Sequence, residues 1–498
     1  MKKTISILLL FSMLLSLPAC GNTPDSDTET TDDTSADATS VEDDTSAEDI
    51  IPDNIPEGTD LGGATVNIYV RGDTIDTEFD SEETGDIVDD AIFMRNRAIE
   101  EKLNVKLEYT SNTSADYWSS HPLFMSTVRA SVLSNDCSID IAAGLANIMP
   151  YLAHDGMFVN LLDRDVPYLN FDSPWWLDNF TEELTVKDRL YLATGEASLG
   201  IIKGVMCFYF NKDMVEKYGL EDPYELVLDG KWTLDKLSEM ISGMYIDLNM
   251  NSEVDNEDQF GFYHASFANA TNFIHSSGMR LTEKDSDGLP YYDLGSEKII
   301  SLIDRIDIMM RQDSFESFLK NLTFDGINDT TDIFSNGRSL FLSGKFSDAE
   351  LFRDMRFNFG ILPYPKYDEN QENYITSSRM TSSLFGILKT ADVKKSAAVL
   401  EALARENYVT VTPAYYEKAL KIKYSRDDVS SQMFDLIKSH IIFDFGVIHG
   451  VYMNNIINSI QVEMSNPTGK WSSTWASLGK SVNRIVKKYV DDIVALPE

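Results

Sequence analysis

The sequence predicts an α/β protein of two lobes with an α-rich C-terminal part. Three observations carry this. Strand-like and helix-like stretches alternate between residues 64 and 144, the pattern of a parallel sheet covered by helices. The part beyond the acidic leader, residues 61–498, is too long for one comfortable core. From residue 392 onward, apolar residues recur mostly at helical spacing.

The elements follow in order. ATVNIYVRG (64–72) alternates and carries β-branched residues, so it predicts a strand. IVDDAIFMRNRAIEEKLN (87–104) places Ile87, Ala91, Met94, Ala98, Ile99 and Leu103 at helical spacing. VKLEYT (105–110) predicts a second strand, HPLFMSTVRASVLSN (121–135) a second helix and SIDIAAG (138–144) a third strand. Ligands of such sheets bind beyond the carboxyl ends of the strands. Tyr69, Arg71 and Asp73 thus fall near one mouth, with Leu145 to Asn147 beside them. GVMCFYFNKDMVEKYGL (204–220) reads as a strand running into a short helix. KWTLDKLSEMISGMY (231–245) reads as a helix with Thr233 as N-cap and Trp232 as a hydrophobic staple. EKIISLIDRIDIMMRQ (297–312) is another helix, and IFSNGRSLFLSGK (333–345) is helix, turn and strand. RFNFGILPYP (356–365) is a strand stopped by prolines, and SSLFGIL (382–388) is one more. Four helical stretches close the chain: KKSAAVLEALAREN, SSQMFDLIKSHIIF, YMNNIINSIQVEM and SVNRIVKKYVDDIV. No internal repeat of fixed period is present.

Residues 1–19 have the form of an export signal. Lys2 and Lys3 precede the apolar run Ile5–Leu17, which is shorter than the about 20 residues a membrane-spanning helix needs. Leu17-Pro18-Ala19-Cys20 resembles the bacterial lipobox, in which the cysteine is acylated and becomes the mature N-terminus. The alternative is an ordinary secretory signal with a chance cysteine. Residues 21–60 then hold fourteen Asp or Glu and no Lys or Arg. Such a stretch cannot bury enough apolar surface to offset its ordering entropy, so residues 20–60 are expected to be a lipidated, disordered tether spanning about 35 Å. An acidic interaction tail is the competing possibility.

Net charge is −39, from 42 basic and 81 acidic residues, and the body remains strongly negative without the tether. Such a surface lacks the basic footprint for nucleic acid, and it does not suit lying flat on an anionic membrane. Cys137 and Cys207 are far apart in apolar contexts, so two buried free thiols are expected and no disulfide framework.

Several stretches together resemble a known family. They are YFNKDMVEKYGLEDPYELVLDGKWTLDKLSEM (209–240), FSNGRSLFLSGK (334–345) and NFGILPYPK (358–366), together with the lipobox. Phe334, Gly337 and Arg338, followed by Phe359, Gly360, Pro363 and Pro365, are close to a signature of the bacterial extracellular solute-binding proteins of family 1. These are the carbohydrate-binding lipoproteins of ABC importers. The resemblance implies a two-lobed periplasmic-binding-protein-like (type II) α/β fold whose lobes close on a ligand. The first lobe would be 61–165 plus about 380–440, the second 166–379 plus about 441–498. It further implies a monomer with no cofactor. Its partners would be a small carbohydrate and permease subunits, with membrane contact through the lipid anchor alone, at the outer face of the cytoplasmic membrane.

Sugars offer hydroxyl edges and apolar faces, which aromatic side chains with polar handles suit. Trp175 and Trp176, in the polar loop NFDSPWWLDNF, are candidates for stacking on ligand, or else pack beneath the loop. The resemblance makes Phe346 a cleft residue, beside Lys345, which would donate to hydroxyls or face solvent. Arg71 would hold an acidic sugar or a hydroxyl pair, or form a surface ion pair. Tyr69, Asn147, Ser378 and Arg379 are chosen on position.

DLNMNSEVDNEDQFGF (247–262) admits a structural calcium, with Asp247, Asn249, Asn251, Glu253, Asp255 and Asp258 at the alternating positions of a twelve-residue loop. Ser252 stands where glycine is favoured, and Asp258 where a longer Glu is usual. A solvated acidic turn is the alternative.

The enzyme alternative is a lipid-anchored glycoside hydrolase, which needs two carboxylates about 5–9.5 Å apart. A chance pair among so many acids is compatible with the sequence. No Gly-x-Ser-x-Gly, His-Glu-x-x-His, Cys-x-x-Cys or phosphate-cradling glycine loop is present. The six histidines show no metal-ligand spacing, and His440 and His449 read as core residues. The sequence therefore favours a binder over an enzyme.

Overall fold

The computed structural model describes residues 51–497, apart from 112–116, 265–266, 313–314, 318–331, 426 and 466–467. The export signal, Cys20 and most of the acidic leader lie outside the described residues. The ordered body is the compact unit Pro52–Glu498. It begins earlier than the predicted boundary at residue 61. Residues 52–60 do not continue the tether, because Ile55 is buried, Asp53 pairs with Lys102 and the Leu61 amide donates to Leu103 O at 2.9 Å.

The strands, in chain order, are β1 (Ala64–Val70), β2 (Val105–Ser111), β3 (Ile141–Leu145), β4 (Met206–Asn211), β5 (Phe260–His264), β6 (Thr282–Lys284), β7 (Pro290–Tyr292), β8 (Phe315–Ser317), β9 (Ser339–Lys345), β10 (Phe359–Leu362), β11 (Thr376–Ser377), β12 (Ser383–Ile387) and β13 (Ile441–Ile442). Two sheets organise the body. The first has the order β12-β3-β1-β2, and the second β10-β4-β9-β5-β8.

In the first sheet β1 lies parallel to both β2 and β3, with Ala64 opposite Val105 and Ile68 opposite Ile141. β12 returns antiparallel to β3, pairing Ser383 with Leu145. Val66, Ile68 and Val70 are fully buried, as expected of a strand covered on both faces. The helix Ile87–Leu103 starts where the Asp86 carboxylate accepts from the Val88 amide, and it ends at Asn104 in the left-handed conformation. It packs against the long helical segment after β12. That segment runs as an α-helix over Val393–Glu406 and continues with wider, π-type turns over Asn407–Val411 and Ala414–Tyr424.

In the second sheet β9 lies between β4, antiparallel, and β5, parallel. The core behind it is aromatic. Phe208 stacks on Phe262 at 5.1 Å and meets Tyr364 edge-on at 4.6 Å. Thr233 caps the helix Leu234–Ile241 as predicted, accepting from the Lys236 amide at 3.3 Å.

The sheets divide the chain differently from the predicted lobes. Phe158 and Ala193 bridge to Leu388 and Phe385, so residues between them belong with the first sheet and not the second. Helix Asp428–Lys438 packs on β10 of the second sheet, although it was assigned to the first lobe. The last helix, Trp471–Val494, docks on the second lobe through Trp471 Nε1 to Leu294 O (2.7 Å) and Asn483 to the Tyr292 main chain (2.8 and 3.0 Å). Its other end meets the first lobe, where His154 Nε2 lies 2.8 Å from Asp492.

Cys207 is buried as expected, but Cys137 is exposed, in the connection that leads into β3. Among the described residues, no helix is long and apolar enough to cross a membrane.

Candidate functional site

Two segments carry the chain between the sheets, and their hydrogen bonds trace the junction. Residues 376–382 move from one lobe to the other. The Thr376 hydroxyl donates to Met206 O (2.7 Å), and the Ser377 amide and hydroxyl to Asn272 Oδ1 (both 2.9 Å), all in the second lobe. Ser378 Oγ then donates to Ile201 O (2.7 Å), and the Arg379 amide to Gly204 O (2.8 Å). The Thr381 carbonyl accepts from the Arg71 guanidinium, and Ser382 O from the Ala146 amide (3.2 Å), both in the first lobe. The second segment, residues 194–205, runs beside this strap. Its glycines allow the contact: a Cβ on Gly204 would lie 2.8 Å from Ser378 Oγ.

Arg71 follows β1 and Ala146 follows β3, so the strap crosses at the carboxyl ends of the first sheet. It also meets the carboxyl end of β9, because Phe346 N–H donates to Val205 O (2.9 Å) and Val205 bridges to Ser378. The carboxyl ends of both sheets therefore converge on one junction, the place where open α/β sheets hold ligands.

The first lobe offers polar groups with unused capacity there. Asn147 Oδ1 and Ser382 Oγ are buried without a hydrogen-bond partner among the described residues. Arg71 is spent, forking onto Asp73 and the Thr381 carbonyl. Glu78 is buried beneath, accepting from Ser198 Oγ at 2.7 Å. Arg95 holds the loop after β1 in place. Its fully buried guanidinium donates to Glu78 O (2.9 Å), Phe79 O (2.6 Å) and Asn407 Oδ1 (2.9 Å).

The second lobe contributes a network that sequence reading missed. Asn269 Nδ2 donates to Ser343 O (2.9 Å), Ser343 Oγ lies 3.0 Å from His264 Nδ1, and Tyr364 Oη donates to Asn269 O (3.3 Å). His264 Nε2 is buried without a partner among the described residues, and burial pulls the imidazole down to about 3, so it is neutral. These residues meet only because β5 and β9 are parallel neighbours, which no local pattern reveals.

The predicted site residues separate into two groups. Arg71, Asn147, Ser378 and Arg379 are brought together at the junction. Tyr69, Trp175, Trp176 and Phe346 are buried in the core, and Lys345, at the carboxyl end of β9, is paired. Tyr69 stacks on Phe124 at 4.8 Å, in the core under the helix Tyr117–Ser134. Trp175 and Trp176 are buried, and Trp176 Nε1 donates to Glu401 Oε2 on helix Val393–Glu406. The tryptophans lock the loop onto the first lobe; they do not form a stacking platform. Phe346 is buried against Phe434, edge-on at 4.9 Å. Lys345 is tied to Asp348.

The 247–258 loop folds as a chain of side-chain-to-amide turns. Asp247 accepts from the amides of Asn251 (3.3 Å) and Ser252 (2.9 Å), and Ser252 adopts the positive φ that glycine favours. The calcium set does not fit this geometry. Asp258 is fully buried and spent on Tyr245 Oη (2.9 Å), Leu248 N (3.1 Å) and Asp255 N (3.1 Å). Asn249 and Asn251 turn their amide nitrogens onto Asp255, and their Oδ1 atoms accept from the amides of Asn251 (3.0 Å) and Glu253 (2.7 Å), so these oxygens are engaged within the loop. Among the described residues no group of three or more His, Cys, Asp or Glu is placed to hold a metal ion. An open groove of about 390 Å³ at Lys212, Asp213, Glu216, Asn358 and Asp427 lies at the end of β4 away from the junction.

No family model matches the sequence, and no curated protein is similar to it. Solved structures are similar in fold. One is the cyclic α-maltosyl-1,6-maltose binding protein of Arthrobacter globiformis, at 13% identity and TM-score 0.56, covering 86% of this chain and 100% of that one. Another is an ABC transporter solute-binding protein of Thermotoga lettingae bound with α-D-tagatose, at 13% identity and TM-score 0.52, covering 85% and 100%. A third is the ABC substrate-binding protein of Listeria monocytogenes in complex with cycloalternan, at 12% identity and TM-score 0.51, covering 86% and 98%. Sheet order, crossing segments and these likenesses agree: the chain has the two-lobed, type II α/β fold of the sugar-binding proteins of ABC transporters.

Proposed function

We propose that this protein captures a carbohydrate between its lobes, releases it unaltered, and delivers it to the permease subunits of an ABC importer. Acylated Cys20 would hold it at the outer face of the cytoplasmic membrane, with the acidic leader as spacer. It would act as a monomer without a cofactor. The observation that carries this is the set of buried polar atoms without partners at the carboxyl ends of both sheets: Asn147 Oδ1 and Ser382 Oγ on one side, His264 Nε2 on the other. A buried polar atom left unpaired costs about 1–3 kcal/mol, so such atoms accumulate where a ligand completes the hydrogen bonding. The sugar-binding proteins of like fold support the ligand class.

A thermal-shift screen over a saccharide panel, followed by calorimetry, tests it. At least one saccharide should raise the melting temperature and be recovered intact. Asn147→Ala should weaken that binding by about tenfold. Cleavage of the sugar, or no shift with any saccharide, would reject the proposal. Cys20→Ser should release the protein into the medium or leave it unprocessed, and an unlipidated native N-terminus by mass spectrometry would reject the anchor.

A further inference from the structure

The cations around the junction are not equivalent. Arg71 is neutralised by Asp73, Lys345 by Asp348, and Lys203 faces Glu350 at 4.0 Å. Arg379 differs. Its main chain is pinned, its amide donating to Gly204 O at 2.8 Å and its carbonyl accepting from the Thr381 amide at 2.7 Å. Its side chain is half-buried, yet among the described residues its guanidinium has no hydrogen bond and no ion pair. It sits on the strap that crosses between the carboxyl ends of the two sheets, between Ser378 and Thr381.

A half-buried guanidinium without an anion beside it keeps its donors open to one. A planar fork with five donors suits a carboxylate or sulfate held by two parallel hydrogen bonds. We infer that the ligand is an anionic saccharide, seated with its charged oxygens on Arg379 and its hydroxyls on the unpartnered polar atoms of the two lobes. The shared chemistry is an oxyanion on a sugar ring, supplied by a uronate or by a sugar sulfate. This inference rests on the carbohydrate reading above.

Calorimetry of the whole processed protein with trigalacturonate, galactose 6-sulfate and neutral maltotriose tests it. One or both anionic probes should bind about tenfold or more tightly than maltotriose, with affinity falling as salt is added. Arg379→Ala should abolish that preference. Arg379→Lys, which keeps the charge and loses the fork, should retain part of it and guards against a folding defect in the alanine variant. Trigalacturonate binding alone assigns a uronate, and galactose 6-sulfate binding alone assigns a sulfate. If maltotriose binds best and Arg379→Ala leaves it unchanged, the anionic assignment is overturned while sugar capture stands. If none of these probes and no member of the wider panel binds, sugar capture falls with it.

Discussion

The indole of Trp176 donates to the Glu401 carboxylate at 2.9 Å, and both side chains are almost completely buried. The pair fastens the 170–177 loop to helix Val393–Glu406, joining two parts of the first lobe that are far apart in sequence.

Burial pushes the Glu401 carboxyl up to about 7, against the opposing pull of the Trp176 and Asn170 N–H donors. The folded protein therefore keeps this proton in a range where the unfolded chain, titrating near 4.5, has released it. The favourable contribution is complete below about 4.5 and is lost as pH rises through about 7. Glu401→Gln retains an acceptor for the indole and cannot ionise. Its stability should match wild type at acid pH and exceed it at alkaline pH, by an amount on the order of 1–3 kcal/mol. Melts of both proteins across the range check this, and parallel curves would exclude it.

Trp176→Ala should cost about 3–5 kcal/mol in urea unfolding, because it opens a core cavity and strands Glu401. Trp175→Phe should fold and bind its saccharide with affinity within about twofold of wild type. A selective loss of binding in a normally stable Trp175→Phe protein would return that indole to the cleft.

Asp444 is fully buried and accepts from the Leu281 amide (2.6 Å), the Thr282 hydroxyl (2.8 Å) and the Gly446 amide (2.7 Å), with His275 Nε2 at 3.2 Å. Burial works to raise its carboxyl, but His275 and these donors hold it below the ordinary value. Its contribution is present above the unfolded-state value and is lost as pH falls through the depressed one. Asp444→Ala should destabilise by about 3–5 kcal/mol at neutral pH, with the deficit shrinking in strong acid. Chemical denaturation at two pH values measures it.

Gly204→Ala would place a methyl 2.8 Å from Ser378 Oγ and 2.9 Å from Gly200 O. Overpacking at this crossing should cost about 1–3 kcal/mol and weaken saccharide binding by displacing Arg379. A variant that melts and binds like wild type would show that the two crossing segments separate freely.

The frame was legible because its signals are local. The helix predicted over 87–104 is Ile87–Leu103, the strand over 105–110 is Val105–Ser111, and the strand over 382–388 is Ser383–Ile387. β5 went unseen because QFGFYH is buried on both sides and shows no alternation. The wide-turn stretch after Glu406 was hidden for a different reason, since π-type turns leave no distinct periodicity. Arg71, Asn147, Ser378 and Arg379, chosen by position beside strand ends, lie at the junction. The aromatic candidates came from a polar loop and from the family resemblance, and neither tells a ring that meets ligand from one that fills a core. His264, Asn269 and Ser343 depend on which strands become neighbours.

The chain leaves the first sheet after β3, builds all five strands of the second, and returns to lay β12 against β3. Residues 206–362 thus encode the whole second sheet in one stretch of the gene, whereas no uninterrupted stretch encodes the first. A single recombination breakpoint between residues 146 and 382 would oblige β3 of one parent to pair with β12 of the other.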